Sequence, residues 1–203
     1  MDTQENNFHT IHCIGVAGIG LSALAQVLAY DGYVVSGSDA IVSPVEKQLI
    51  AAGVSVSTIY ATENVGAGVD VVIHTLAVKD DNPELIEARR RGTRIWTYAQ
   101  GLAWWARNKN FIAIAGTHGK STTTALLGSI LIAANLDPTV IVGSQIPAFG
   151  GNVRLGKSNI AIVEADEYGR SFLHYHPSSA IVTNMDWDHV DTYPTYELFR
   201  SAF

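Results

Sequence analysis

The chain has 203 residues, 47% of them apolar and 16% charged, which is long enough for one large or two small cores and too apolar for a disordered chain. Its net charge of −6 argues against a nucleic-acid binder, which carries a basic face. The single cysteine, Cys13, excludes a disulfide framework within the chain.

The polar run 1–7 holds no apolar signal segment. The longest apolar stretch, Ala125 to Ala134, is interrupted by Gly128 and Ser129 and is too short to span a bilayer. A soluble, cytoplasmic protein without membrane insertion is expected.

The first predicted strand is Thr10–Val16, where Cys13 reads as a buried thiol. Gly18-Ile19-Gly20 and an apolar helix, Leu21–Tyr30, follow, then a strand, Tyr33–Ser38, that ends at Asp39. This is a βαβ unit whose glycines, 15, 18 and 20, are spaced G-x-x-G-x-G rather than G-x-G-x-x-G. Such a turn allows a diphosphate to approach the backbone at a helix start, with Asp39 placed for a ribose hydroxyl. A purely structural βα turn is the alternative.

The alternation continues with a helix over Pro44–Ala52, a short strand at Val54–Val56 and a buried strand over Val69–Thr75. Asn82 caps a helix at Pro83–Arg91, followed by a strand at Arg94–Trp96 and a helix over Ala99–Arg107. The polar Arg107-Asn-Lys-Asn110 is the expected boundary between domains 1–107 and 108–203. Repeated strand–helix pairs with continuous Val/Ile runs predict an α/β fold: a Rossmann-like first domain, then a P-loop α/β domain, with parallel sheets covered on both faces.

The second domain opens on a strand, Phe111–Ala115, the turn Gly116-Thr-His-Gly119, and a helix from Lys120 to about Ala134. The full P-loop pattern asks for glycine at position 114, which is Ile114, so the motif here is the shorter Gly-Thr-His-Gly-Lys-Ser. Gly116, Thr117, His118, Gly119, Lys120, Ser121 and Thr122 are the expected nucleotide-binding residues. Backbone N–H groups and the positive end of the helix converge there, Lys120 adds a full charge, and the Ser121 hydroxyl suits magnesium.

A strand at Thr139–Val142, a Gly/Pro-rich loop through Gly156, strands at Asn159–Val163 and Ser179–Thr183, and a helical pattern over Tyr196–Phe203 complete the chain. Roughly 90 residues follow Asn110, short of the size of such a domain, so the chain is expected to break off within it. Two acidic clusters stand at strand ends: Glu164-Ala-Asp-Glu167 and Asp186-Trp-Asp-His189-Val-Asp191. Neighbouring parallel strands would bring Glu164 and His189 to the Lys120 loop, where they share magnesium with Ser121. Glu167 and Asp186, each taken alone, read as solvated loop charges. His174 and His176 read as ordinary surface or strand histidines, and Trp104-Trp105 as packing residues.

Gly15-Val-Ala-Gly-Ile-Gly20, Ser36-Gly-Ser-Asp39, Asp81-Asn-Pro-Glu84, Gly116-Thr-His-Gly-Lys-Ser-Thr122, Glu164-Ala-Asp-Glu167 and Thr183-Asn184…Asp188-His-Val-Asp191 occur in that order. The ordered set resembles the Mur ligases of peptidoglycan synthesis, above all those members that join L-alanine to UDP-N-acetylmuramate. The resemblance implies a UDP-sugar-binding domain, a central ATPase domain and a carboxyl-terminal domain that this chain lacks and that activity needs. It implies ATP and Mg2+ as cofactors, and an acyl phosphate that L-alanine attacks.

By position, Lys120, Glu164 and His189 would be catalytic, with Ser121, Glu164 and His189 on magnesium. Gly15, Gly18, Ile19, Gly20, Ser38, Asp39 and His74 would meet the UDP-sugar. Ser121 stands where threonine is usual in the family, and Gly169 where aspartate is. Murein tripeptide ligase, an NAD-dependent Rossmann enzyme with an accessory P-loop, and an inactive nucleotide-binding fragment are the alternative readings.

Overall fold

The computed structural model describes residues 8–41 and 44–203, and the polar run 1–7 lies outside them. The chain divides into two compact units, Met1–Gly101 and Leu102–Phe203, each carrying its own five-stranded sheet. No helix among the described residues is long and apolar enough to cross a membrane.

In the first unit β1 (Thr10–Ile14) is buried from Ile11 onward, as a strand covered on both faces must be. Cys13 is fully buried there, and burial pushes its thiol pKa up to about 12, so it stays protonated and inert. Gly15, at φ 80°, turns the chain into α1 (Ile19–Tyr30), which begins after an extended Gly18. β2 (Val34–Ser38), α2 (Val45–Ala51), β3 (Ser55–Ser57) and β4 (Val71–His74) follow.

α3 (Pro83–Arg91) has clear boundaries. The Asn82 carboxamide oxygen accepts from the Glu84 N–H at 2.9 Å, proline holds the first helical position, and Gly92 at φ 71° closes the end. β5 (Arg94–Thr97) and α4 (Tyr98–Ala106) complete the alternation, and the division between the units falls inside α4. The sheet order is β3-β2-β1-β4-β5, all parallel. Ile14 lies opposite both Ser38 and His74, so the carboxyl ends of β1, β2 and β4 form one rim.

The second unit runs β6 (Asn110–Ala115), α5 (Lys120–Ala133), β7 (Thr139–Ile146), β8 (Gly151–Arg154), β9 (Ile160–Glu164), β10 (Ser179–Val182) and α6 (Tyr196–Arg200). Its sheet order is β10-β6-β9-β7-β8. The expectation of purely parallel sheets needs correcting here, because β8 pairs antiparallel with β7. The stretch read as a loop through Gly156 is a hairpin. Pro147–Phe149 forms one 3-10 turn, Gly150 at φ 70° reverses the chain, and Asn152 and Val153 return buried. Proline and glycine sit in the connection, where they break no ladder.

Ile114, Val140, Val142 and Ile162 form the centre of this sheet's core, against which Leu127 and Leu131 of α5 pack. β6 is thereby held between β9 and β10, and its carboxyl end opens directly into the glycine turn.

Candidate active site

The turn after β6 is held from within. The Lys120 side chain is only 12% exposed, and its ammonium group folds back to donate to the Gly116 carbonyl at 2.7 Å and the Thr117 carbonyl at 3.3 Å. It also donates to Glu167 at 2.9 and 3.2 Å. Gly116 and Gly119 take φ of 123° and 81°, values that favour glycine. The N–H groups of the first turn of α5, from Lys120 to Thr122, have no carbonyl four residues back within the helix, so they face outward as donors to an anion.

On its other limb the loop is tied to the segment after β10. The Thr117 hydroxyl donates to the Asp186 carbonyl at 2.7 Å and accepts from the Asp186 N–H at 2.9 Å. The Asn184 carboxamide bonds both the N–H and the carbonyl of His118, at 3.0 and 2.9 Å. Thr117 and His118 are therefore the anchored part of the turn, and Gly119 to Thr122 the open part.

The acidic residues divide into two groups. Ser121 donates to Glu164 at 3.0 Å, and the second oxygen of Glu164 accepts from the Gly143 N–H at 2.6 Å. The structure gathers Asp166 and Glu167 with His189, their ligand atoms all within 4.8 Å of one another. Glu164 lies outside that set and is held between the Ser121 hydroxyl and the Gly143 N–H. The reason is the path of the chain beyond β9. It turns after Glu164 so that Glu167, fully buried, points at Lys120 and stands 3.7 Å from His189. Glu167 is no solvated loop charge.

His189 adopts φ 52°, a left-handed conformation that a non-glycine residue adopts only under local constraint. Its carbonyl accepts from the N–H groups of Thr192 and Tyr193, its ring lies 5.3 Å from that of Tyr168, and Tyr193 in turn donates its hydroxyl to the Glu167 carbonyl at 2.9 Å. Gly169, at φ 59°, forms a separate left-handed bend with Arg170 at φ 57°, a conformation that glycine adopts at no steric cost. Sequence reading missed Glu167, although its signal was present three residues beyond the end of β9.

At the rim of the first unit, Asp39 accepts from the Ala17 N–H and the Ile41 N–H, both at 3.0 Å, so its carboxylate holds the Gly15–Gly20 turn in place. Ser38 is fully buried and donates to Glu84; its side chain is absorbed by the fold. His74 is half-buried, its Nδ1 3.0 Å from the Thr75 carbonyl. A side chain at Gly20 would meet the Tyr98 ring at 2.9 Å, so glycine is required for packing there as much as for any ligand. His174 and His176 are exposed, and Trp104 and Trp105 are buried.

The model of the Mur ligase catalytic domain matches residues 10–110, and that of the Mur ligase middle domain matches residues 114–203. A UDP-N-acetylmuramate–L-alanine ligase of Sorangium cellulosum is 45% identical over 95% of this chain. The crystal structure of a UDP-N-acetylmuramate-alanine ligase from Thermotoga maritima superposes with a TM-score of 0.85 at 31% identity, over 97% of this chain and 46% of that one. A UDP-N-acetylmuramate:L-alanyl-gamma-D-glutamyl-meso-diaminopimelate ligase from Neisseria meningitides gives 0.86 at 27% identity, over 97% and 66%. The chain spans 41% of the length of the Sorangium relative.

Proposed function

This chain belongs to the Mur ligase family, and from that premise we propose that it is part of a cytoplasmic ATP-dependent ligase joining L-alanine to the carboxylate of UDP-N-acetylmuramate in peptidoglycan synthesis. The observation that carries the reading is the pairing of Glu167 with both Lys120 and His189 at the mouth of a glycine turn that opens a helix. The identity of 45% to the UDP-N-acetylmuramate–L-alanine ligase of Sorangium cellulosum, over 95% of this chain, supports alanine as the group added.

The N–H groups from Gly119 to Thr122 would receive the β- and γ-phosphates of ATP, and Lys120 would exchange Glu167 for phosphate oxygens and follow the charge as the phosphoryl group moves. The muramyl carboxylate takes the γ-phosphoryl group, giving an acyl phosphate and ADP. The amine of L-alanine then attacks the carbonyl carbon, phosphate leaves with the C–O bond electrons, and the amide forms.

Two carboxylates and an imidazole within 4.8 Å fit a hard divalent cation that keeps several waters and shares phosphate oxygens. Asp166, Glu167 and His189 would hold magnesium, with Ser121 and Glu164 as the pair nearest the start of α5. The ion, when bound, neutralises charge on the phosphate oxygens. The Gly15–Gly20 turn would meet the UDP diphosphate, with Asp39 fixing the turn. Because the chain spans 41% of the Sorangium relative, the amino-acid site and turnover are assigned to the longer protein.

Calorimetric titration with UDP-N-acetylmuramate and, separately, with NAD tests the reading. Saturable binding of the UDP-sugar with no heat from NAD is expected. Binding of NAD alone would return the glycine turn to dinucleotide chemistry and overturn the ligase.

A further inference from the structure

Parallel pairing sets Val182 of β10 opposite Ala115 of β6, so both chains leave the sheet at the same level. The run from Thr183 to Asp186 therefore lies along the glycine turn. Thr183 donates its N–H to the Ala115 carbonyl at 3.0 Å and its hydroxyl to the His118 carbonyl at 2.6 Å. The Thr117 N–H reaches the Asn184 carbonyl at 3.2 Å. The side chain of Asn184 then spans both polar groups of His118: its oxygen accepts from the N–H and its NH2 donates to the carbonyl. Only one orientation of the carboxamide satisfies both, since the flipped one sets donor against donor.

The two bonds fix the planes of the peptides on either side of His118. The described peptides are trans, and in a trans peptide the carbonyl and the N–H point in opposite directions. With the His118 N–H turned to Asn184, the Thr117 carbonyl must face away, and there it receives the Lys120 ammonium at 3.3 Å. With the His118 carbonyl turned to Asn184, the Gly119 N–H must also face away, to that same side. Asn184 alone holds the His118 N–H, and with it the seat of the lysine, and it shares with the Thr183 hydroxyl the hold on the His118 carbonyl that directs the first open N–H of the turn.

We propose that Asn184 is a positioning residue for phosphate: by gripping both peptides around His118 it aims the Gly119 N–H and the Lys120 ammonium at one point. The proposal rests on the reading of this turn as the ATP phosphate site. Asn184 carries out no chemistry itself and contacts the guest only through the loop.

The test uses the 203-residue chain with two variants, Asn184→Ala and the near-isosteric Asn184→Asp, which keeps the acceptor and loses the donor. Each is titrated with MgATP and with inorganic tripolyphosphate, which has no base or sugar to bind elsewhere. Loss of paired hydrogen bonds that organise the loop is expected to weaken both probes by the same factor, about tenfold. Amide NMR shifts should move at residues 116–120, and UDP-N-acetylmuramate affinity should stay at the wild-type value.

Wild-type affinity in both variants, with the parent chain binding normally, would overturn the positioning role and leave the phosphate site standing. Weakening matched by amide shifts spread through the second sheet would also overturn it, because a general structural role predicts that spread. Failure of the parent chain itself to bind tripolyphosphate or MgATP would overturn the phosphate-site reading, and the role of Asn184 with it.

Discussion

Lys120 is satisfied three times over before any ligand arrives, by two loop carbonyls and by Glu167. A lysine side chain held at 12% exposure against a carboxylate at 1% keeps its place, so the turn is preorganised and little side-chain entropy remains to be lost on binding. Replacing Lys120 by Ala removes the charged donor, and ATP affinity is expected to fall about a hundredfold, with UDP-N-acetylmuramate binding unchanged by calorimetry. Equal loss of both would mean that the two ligands do not occupy separate sites. Glu167→Gln keeps the shape but gives up the anion shared by Lys120 and His189. The magnesium dependence of ATP affinity should flatten in that variant, and a magnesium titration with an unchanged midpoint would remove Glu167 from the metal set.

At the scale of elements, the glycines of the turn differ in what holds them. A Cβ at Gly116 would stand within contact distance of Asn184 backbone, at 2.8 Å from its carbonyl oxygen, and would collide with the Thr183 hydroxyl, whereas one at Gly119 would meet nothing within 4 Å. Gly116→Ala is therefore expected to lower stability by about 2–4 kcal/mol, from strain and overpacking together. Gly119→Ala should lose only about 1–2 kcal/mol from the left-handed backbone. Denaturant midpoints of the two variants separate these cases, and equal shifts would contradict the packing argument.

In the first unit α3 is pinned to the sheet through Glu84, which accepts from Ser38, from Asn64 and from the Ala61 N–H and lies 3.3 Å from His12. Burial opposes ionisation of Glu84, but the hydrogen bonds from His12, Ser38 and Asn64 together outweigh it and set its pKa below the ordinary 4.5. The folded value is thus the lower one. Ionised Glu84 favours the fold above pH 4.5, and that contribution is lost as pH falls through the folded value. Glu84→Gln is expected to be less stable by about 1–3 kcal/mol at neutral pH, with the gap to wild type narrowing in thermal melts on acidification. A gap that stays constant with pH would show that the charge contributes nothing.

For the whole molecule, the two units carry separate parts of one proposed reaction: a rim for the UDP-sugar on the first sheet and a phosphate turn on the second. The prediction is that the 203-residue chain binds its nucleotides without turning over. Phosphate release that depends on L-alanine, measured on this chain alone, would overturn it.

The local features followed from the sequence because their causes are local. Val/Ile runs must be buried, Asn82-Pro83 starts a helix and Gly92 stops it, and a β-branched strand running into Gly116-Thr-His-Gly-Lys needs no distant partner to become a strand, a turn and a helix. The ordered motifs carried the family in the same way. The tertiary structure decided which side chains meet. The order β10-β6-β9 laid Asn184 against His118, the bend after β9 sent Glu167 rather than Glu164 toward His189, and burial drew Ser38 away from the rim into a bond with Glu84. Those pairings join residues 20 to 70 positions apart, and no local propensity encodes the register that brings them together.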